Sequence, residues 1–244
     1  MSRIMLKPTI ALLFVSAASL AVGACSGPTE GPARGAALYN NCSTCHGADG
    51  GGNPNIKAPA IAGLPAWYIE NQVKGYQDGL RGLHFDDIPG MRMRPMALSI
   101  LNERALLPGQ LEKLSPEEKT KLEADKKQGA ANLKEVAAHI AAMPHFKAKP
   151  TLKNASAEKG KAHYATCMAC HGADGMGNKA MNAPPIAGAQ DWYIADQLMN
   201  FRKGVRGRGT IASTMAPMAA ALPNEQAVLD VAAYVAAMER KAAK

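Results

Sequence analysis

Two short stretches carry the residue types and spacings that imply chemistry. Cys42-Ser-Thr-Cys45-His46 and Cys167-Met-Ala-Cys170-His171 both have the pattern Cys-x-x-Cys-His, and each is followed by Gly-Ala-Asp-Gly. Two thiols at this spacing add to the two vinyl groups of one haem, and the adjacent histidine lies beneath the iron as an axial ligand. Zinc sites and redox disulfides also use Cys-x-x-Cys, but neither requires an adjacent histidine in both copies. The spacing therefore predicts two covalently bound haem c groups, held by Cys42 and Cys45 and by Cys167 and Cys170, with iron on His46 and His171.

What a haem does depends on the ligand opposite the histidine. An open face suits ligand binding or peroxidase chemistry, and a methionine thioether closes it and suits electron transfer. Met93-Arg-Pro-Met96-Ala lies 47 residues after His46, and Met215-Ala-Pro-Met218-Ala lies 44 after His171. Both methionines recur in both copies, so the repeat alone leaves Met93 and Met215 level with Met96 and Met218. Met91 and His84 are lesser candidates. Thirteen methionines in the chain make any single one weak evidence, because methionine is also a core filler.

The elements that position these residues are duplicated. At an offset of 125, Gly35, Tyr39, Asn53, Pro59, Ile61 and Gly63 fall on Gly160, Tyr164, Asn178, Pro184, Ile186 and Gly188. Trp67, Gln72 and Arg81 then fall on Trp192, Gln197 and Arg206. Each copy reads as a short helix before the haem motif, a Gly- and Pro-rich loop, a helix opening near the tryptophan, a methionine loop and an Ala-rich terminal helix. The terminal helices, LKEVAAHIAAM and VLDVAAYVAAM, align at an offset of only 95, so the first copy carries an insertion, mostly over 104–132. Ser115, Pro116 and Glu118 mark a helix start there, and its Lys- and Glu-rich continuation reads as a solvated surface. The expected fold is all-α, two tandem domains, 33–146 and 158–244, joined by a linker at 147–157. Domains this small bury little apolar surface, so haem is expected to be needed for folding.

The fifth cysteine, Cys25, ends a leading segment with Arg3, Lys7 and an apolar run from Ile10 to Val22. Residues 1–24 read as an export signal. Val22-Gly-Ala-Cys25 has the form of a bacterial lipobox, making Cys25 a lipidation site and 25–32 a tether. Cleavage after Ala24 or retention as an anchor are the alternatives. The formal charge of +8 loses two with Arg3 and Lys7 and four more with the haem propionates, so it gives no case for a nucleic-acid partner.

The paired CxxCHG motifs, the Pro-x-Ile-Ala-Gly segments, the Gly-x-Arg before each methionine loop and the Ala-rich terminal helices together resemble the dihaem cytochrome c4 family. The likeness spans nearly all of the chain after the leader, apart from the insertion and tether. It implies two class I cytochrome c-like domains, each wrapped around one haem. The axial ligands it implies are Met93 and Met215, seven residues before Ile100 and Leu222. It further implies that the Pro59 and Pro184 carbonyls orient the histidines, that Arg81 and Arg206 pair with propionates, and that Trp67 and Trp192 line the pockets. The function implied is a periplasmic, membrane-tethered electron carrier between redox proteins, with no small-molecule substrate. A quinol-oxidising complex or dehydrogenase would stand upstream and a terminal oxidase or reductase downstream. The alternatives are a dihaem enzyme, peroxidase-like or sulfur-compound oxidising, and a fixed subunit of a larger respiratory complex.

Overall fold

The computed structural model describes residues 28, 30–100, 110–206 and 209–240. The leader, Cys25 and residues 101–109 at the start of the insertion lie outside them. The described residues form helices and loops, with isolated bridges Asn53–Ala58 and Asn178–Ala183 as the extended pairing. The first domain contains α1 (Gly31–His46), α2 (Ala66–Gln77), α3 (Ile88–Ile100) and α4 (Pro116–Ala142). The second contains α5 (Ala157–His163), α6 (Ala165–His171), α7 (Asp191–Arg202), α8 (Thr210–Ala220) and α9 (Glu225–Ala237).

In each domain the helix leading into the haem motif crosses the terminal helix at a glycine. A Cβ on Gly35 would stand 2.5 Å from the Glu135 carbonyl oxygen, and one on Gly160 would collide with that of Asp230. Only a residue without a side chain allows this approach. One turn further on, Tyr39 and Tyr164 are buried and donate to the carbonyls of Gly47 and Gly172, both at 2.7 Å. Their rings meet His139 of α4 and Tyr234 of α9. The cores close around these contacts: Leu133, Val136 and Ile140 in the first domain, and Val228, Val231 and Val235 in the second, are at most 2% exposed. Each such side chain contributes roughly 1.5–3 kcal/mol by leaving water.

Two local features differ from the sequence expectation. The insertion does not form a helix of its own. Ser115 caps α4 through a reciprocal pair with Glu118, and the helix then runs unbroken into the Ala-rich segment, because nothing between them stops it. Its outer turns are exposed, with Leu122 buried beneath them. The methionine segments, expected as loops, are helical: Met93 and Met96 lie on α3, and Met215 and Met218 on α8, with Pro95 and Pro217 inside those helices.

The linker is anchored to the second domain. The Asp191 carboxylate, fully buried, accepts from the Thr151 and Leu152 backbone N–H groups and from the Thr151 hydroxyl. Burial alone would raise its pKa, and these donors together with the Trp192 N–H more than offset that, holding it below the usual aspartate value. Among the described residues no helix is long and apolar enough to cross a membrane.

Candidate haem sites in the two domains

Both Cys-x-x-Cys-His motifs close the last turn of a helix, α1 or α6. The chain then turns through a glycine-rich loop that comes back against the histidine. In the first domain Gly52, at φ +82°, brings its backbone within reach of the Pro59 and Ala60 peptide, where a Cβ would stand 2.6 Å from the Pro59 carbonyl carbon. Gly177 holds the same place against Pro184 and Pro185. This return positions the carbonyl that each histidine needs. His46 Nδ1 lies 2.7 Å from the Pro59 oxygen, and His171 Nδ1 lies 2.9 Å from the Pro184 oxygen. A carbonyl only accepts, so Nδ1 carries the proton and donates, leaving the Nε2 lone pair for a metal. Burial lowers the pKa of both histidines, the carbonyl bond opposing it in part, and keeps the rings neutral as iron ligation requires.

A cavity of about 830 Å³ runs through both domains and is lined by both motifs. His46 and Met93 line it in the first domain, and His171 and Met215 in the second. Met93 and Met215 are half-buried and pack against the two cores, while Met96 and Met218, also on the cavity, are each 39% exposed. Met91 is 47% exposed. His84 stacks on exposed Phe85 and accepts from the Asp86 N–H. The Trp67 and Trp192 rings line the cavity, each edge-on to the next tyrosine.

Three properties of the chain fit a covalently held haem. Burial, with Cys45 beside it, pushes the Cys42 thiol up to about 11, and Cys167 next to Cys170 likewise. Buried neutral sulfur suits a thioether and disfavours a zinc thiolate or a reactive redox pair. Among the described residues no group of three or more His, Cys, Asp or Glu side chains is placed to hold a metal ion by itself. The Arg81 Nε is buried with no hydrogen-bond partner, as expected of a guanidinium placed for an anionic cofactor edge.

Arg81 and Arg206 also do something the sequence did not suggest. Each bonds the glutamine of its own domain and that of the other: Arg206 reaches Gln197 at 2.8 Å and Gln72 at 3.1 Å, while Arg81 reaches Gln72 and, at 3.5 Å, Gln197. They lie over the rings of Tyr76 and Phe201. The repeat marked both glutamines as paired positions, but no one-dimensional pattern says that the pairs interlock. Gln190, Lys57 and Arg240 had no signal at all. Gln190 and Arg240 bond first-domain backbone, and Lys57 pairs with Asp196 at 2.7 Å, so all three cross between the domains.

Comparison with known proteins agrees with this architecture. The family described as Cytochrome c matches residues 32–122 and 157–239. A thiosulfate dehydrogenase electron acceptor from Stutzerimonas stutzeri is 29% identical over 223 residues, covering 87% of this chain and 85% of its own. A protein of the same name from Thiomonas intermedia is 46% identical over 57 residues, which is 23% of this chain and 26% of that one. Among solved structures, a thiosulfate dehydrogenase (TsdBA) from Marichromatium purpuratum superposes with a TM-score of 0.60 at 26% identity, covering 84% of this chain and 40% of that one. Cytochrome c4 of Acidithiobacillus ferrooxidans gives 0.56 at 26% identity, with 81% and 98% covered. With two matched regions, two equivalent His–carbonyl arrangements and two cysteine pairs on one cavity, the chain belongs to the cytochrome c family, as a tandem-domain protein with two covalently bound haem c groups.

Proposed function

We propose that this dihaem cytochrome is a periplasmic one-electron carrier that accepts electrons from a dehydrogenase, a thiosulfate-oxidising one being the first donor to test. When bound, each haem supplies reversible one-electron iron chemistry and no bond-making to a substrate. Cys42, Cys45, Cys167 and Cys170 would hold the groups, and His46 and His171 would ligate through Nε2 while donating from Nδ1 to Pro59 and Pro184. Met93 and Met215 would supply the second protein ligand to each iron. Arg81 and Arg206 would pair with haem propionates, and Trp67 and Trp192 would keep the pockets apolar.

The observation that carries this reading is that each domain sets a histidine and a core-packed methionine on the same cavity. A histidine and a methionine for each iron would favour electron transfer over peroxidase-like chemistry, which needs one accessible iron face. The names of the relatives favour a sulfur-oxidising donor. The leader and the lipobox at Cys25 support export and a lipid tether, since a lone exported thiol is otherwise a liability.

The test is the visible spectrum of the oxidised protein, followed by mixing with thiosulfate and a thiosulfate dehydrogenase. Two low-spin haems with the weak long-wavelength sulfur-to-iron(III) band are expected, and dehydrogenase-dependent reduction of both. A high-spin fraction amounting to one haem would overturn the carrier reading in favour of catalysis. Loss of half the band in Met93→Ala, with Met96→Ala unaffected, is the expected ligand result, and the reverse pattern would exchange the roles. Mass spectrometry of the mature N-terminus should find acylated Cys25.

A further inference from the structure

The two histidine–carbonyl bonds look equivalent, yet the peptides that accept them differ. His46 donates to the carbonyl of the Pro59–Ala60 peptide, and the N–H of that same peptide, on Ala60, donates to Gln190 Oε1 at 2.8 Å. Gln190 opens α7 in the second domain and is 8% exposed. Its amide is fixed at both ends, because Nε2 donates to the Gly51 carbonyl at 3.2 Å on the other side of the same loop. In the second domain the corresponding peptide joins Pro184 to Pro185, which has no N–H to donate. At the repeat offset of 125 the counterpart of Gln190 is Pro65, which has no side-chain acceptor. The arrangement is therefore absent from the second domain at both of its ends.

We infer that Gln190 is a positioning residue through which the second domain tunes the iron site of the first, by a hydrogen-bond relay from Gln190 Oε1 through the Pro59–Ala60 peptide to His46. Hydrogen bonds in series polarise one another. When Ala60 N–H donates to Gln190, electron density moves onto the Pro59 oxygen, which becomes a stronger acceptor from His46 Nδ1–H. A more strongly bonded Nδ1–H makes Nε2 a better electron donor and favours the oxidised metal. The shorter bond in the first domain, 2.7 Å against 2.9 Å, runs in the same direction. The relay also makes this tuning conditional on docking, since its acceptor belongs to the other domain.

The inference rests on His46 being the first-domain ligand, as proposed above. The experiment is a redox titration of the full holoprotein followed by the paramagnetically shifted NMR signals of each haem. Gln190→Leu removes the acceptor, Ala60→Pro removes the donor while retaining Gln190, and Gln190→Glu keeps an acceptor toward Ala60. The first two should shift the first-domain oxidised–reduced equilibrium toward the reduced form by roughly threefold, the size expected of a partial change in one hydrogen bond. The second-domain equilibrium should stay in place. Gln190→Glu should produce no such shift toward the reduced form. In the reduced protein the His46 Nδ1–H resonance should move upfield in Gln190→Leu and Ala60→Pro, a readout independent of electron-transfer activity. An unchanged first-domain equilibrium in both variants, or an equal shift of both domains, would overturn the relay. Absence of shifted His46 ring signals in the oxidised parent would instead overturn the ligand assignment, and the relay with it.

Discussion

The two domains are one sequence design carried out twice, and what they keep separates from what they vary. Both keep the glycine at the helix crossing, the tyrosine bonded to the post-motif glycine, the return loop and the proline carbonyl on the histidine. They vary what surrounds these. The first domain has a 27-residue terminal helix where the second has 13 residues, and an Ala60 N–H where the second has Pro185. The first also runs one helix into its haem motif, while the second divides that segment at Tyr164. The shared features hold the cofactor, and the differences set what each cofactor faces.

The comparison can be broken most severely at the cysteines. Replacing Cys42 and Cys45 together with alanine should remove one haem by mass and unfold the first domain, and the matching pair, Cys167 and Cys170, should do the same to the second. A first domain that keeps native circular dichroism without its haem would show that the two domains do not depend on cofactor alike.

Next comes the helix crossing. Gly160→Ala drives its Cβ into the Asp230 carbonyl oxygen and Gly35→Ala places one 2.5 Å from that of Glu135, so both should destabilise, the second-domain variant more. The costs expected are about 3 kcal/mol or more and about 2 kcal/mol, read from urea unfolding.

The anchored linker supplies a pH test specific to the second domain. Asp191 has its pKa depressed in the folded state, so its contribution is full above the unfolded aspartate value of about 3.9 and is lost as pH falls through the lower folded value. Asp191→Asn should weaken the second domain at neutral pH by about 2 kcal/mol, and the parent and variant should converge as pH is lowered through that window. Urea midpoints measured from pH 6 downward check this, and a constant gap would refute the assignment.

The smallest effect is expected at the domain boundary ion pair. Lys57 and Asp196 are 48% and 41% exposed, so Lys57→Ala should cost no more than about 0.5–1 kcal/mol, and less in high salt. Melting curves at low and high ionic strength would sharpen how far surface charge, as opposed to Gln190 and the Arg–Gln square, holds the domains together.

Much of this was legible in one dimension because it is local or periodic. The haem motifs are five consecutive residues and the repeat is an offset; Pro59 and Pro184, 13 positions after their histidines, were marked as paired by that offset, and their role was what the family resemblance implied. Ser115, Pro116 and Glu118 likewise announced the start of α4. The insertion at 104–132 was set apart from the Ala-rich helix by the drop in repeat offset, yet α4 runs through both, because an offset marks where two copies differ and not where a helix ends. Composition shifts do not end helices; caps and breakers do. The Arg–Gln square was half visible, since all four residues recur, but their exchange of partners needs the domains to be placed side by side.

The sequence by itself determined the cofactor, the duplication and the helical class, because covalent attachment and short-range geometry depend only on neighbours along the chain; the carbonyls that orient the histidines were named only through the resemblance to the dihaem cytochrome c4 family. Tertiary structure alone decided that Met93 and Met215 pack on the cores and that Gln190 completes a bond across the domain boundary. Both depend on which surfaces meet after the chain has folded, 130 residues apart for Gln190 and Ala60, and nothing in a repeat pattern encodes a contact made by one copy and not by the other.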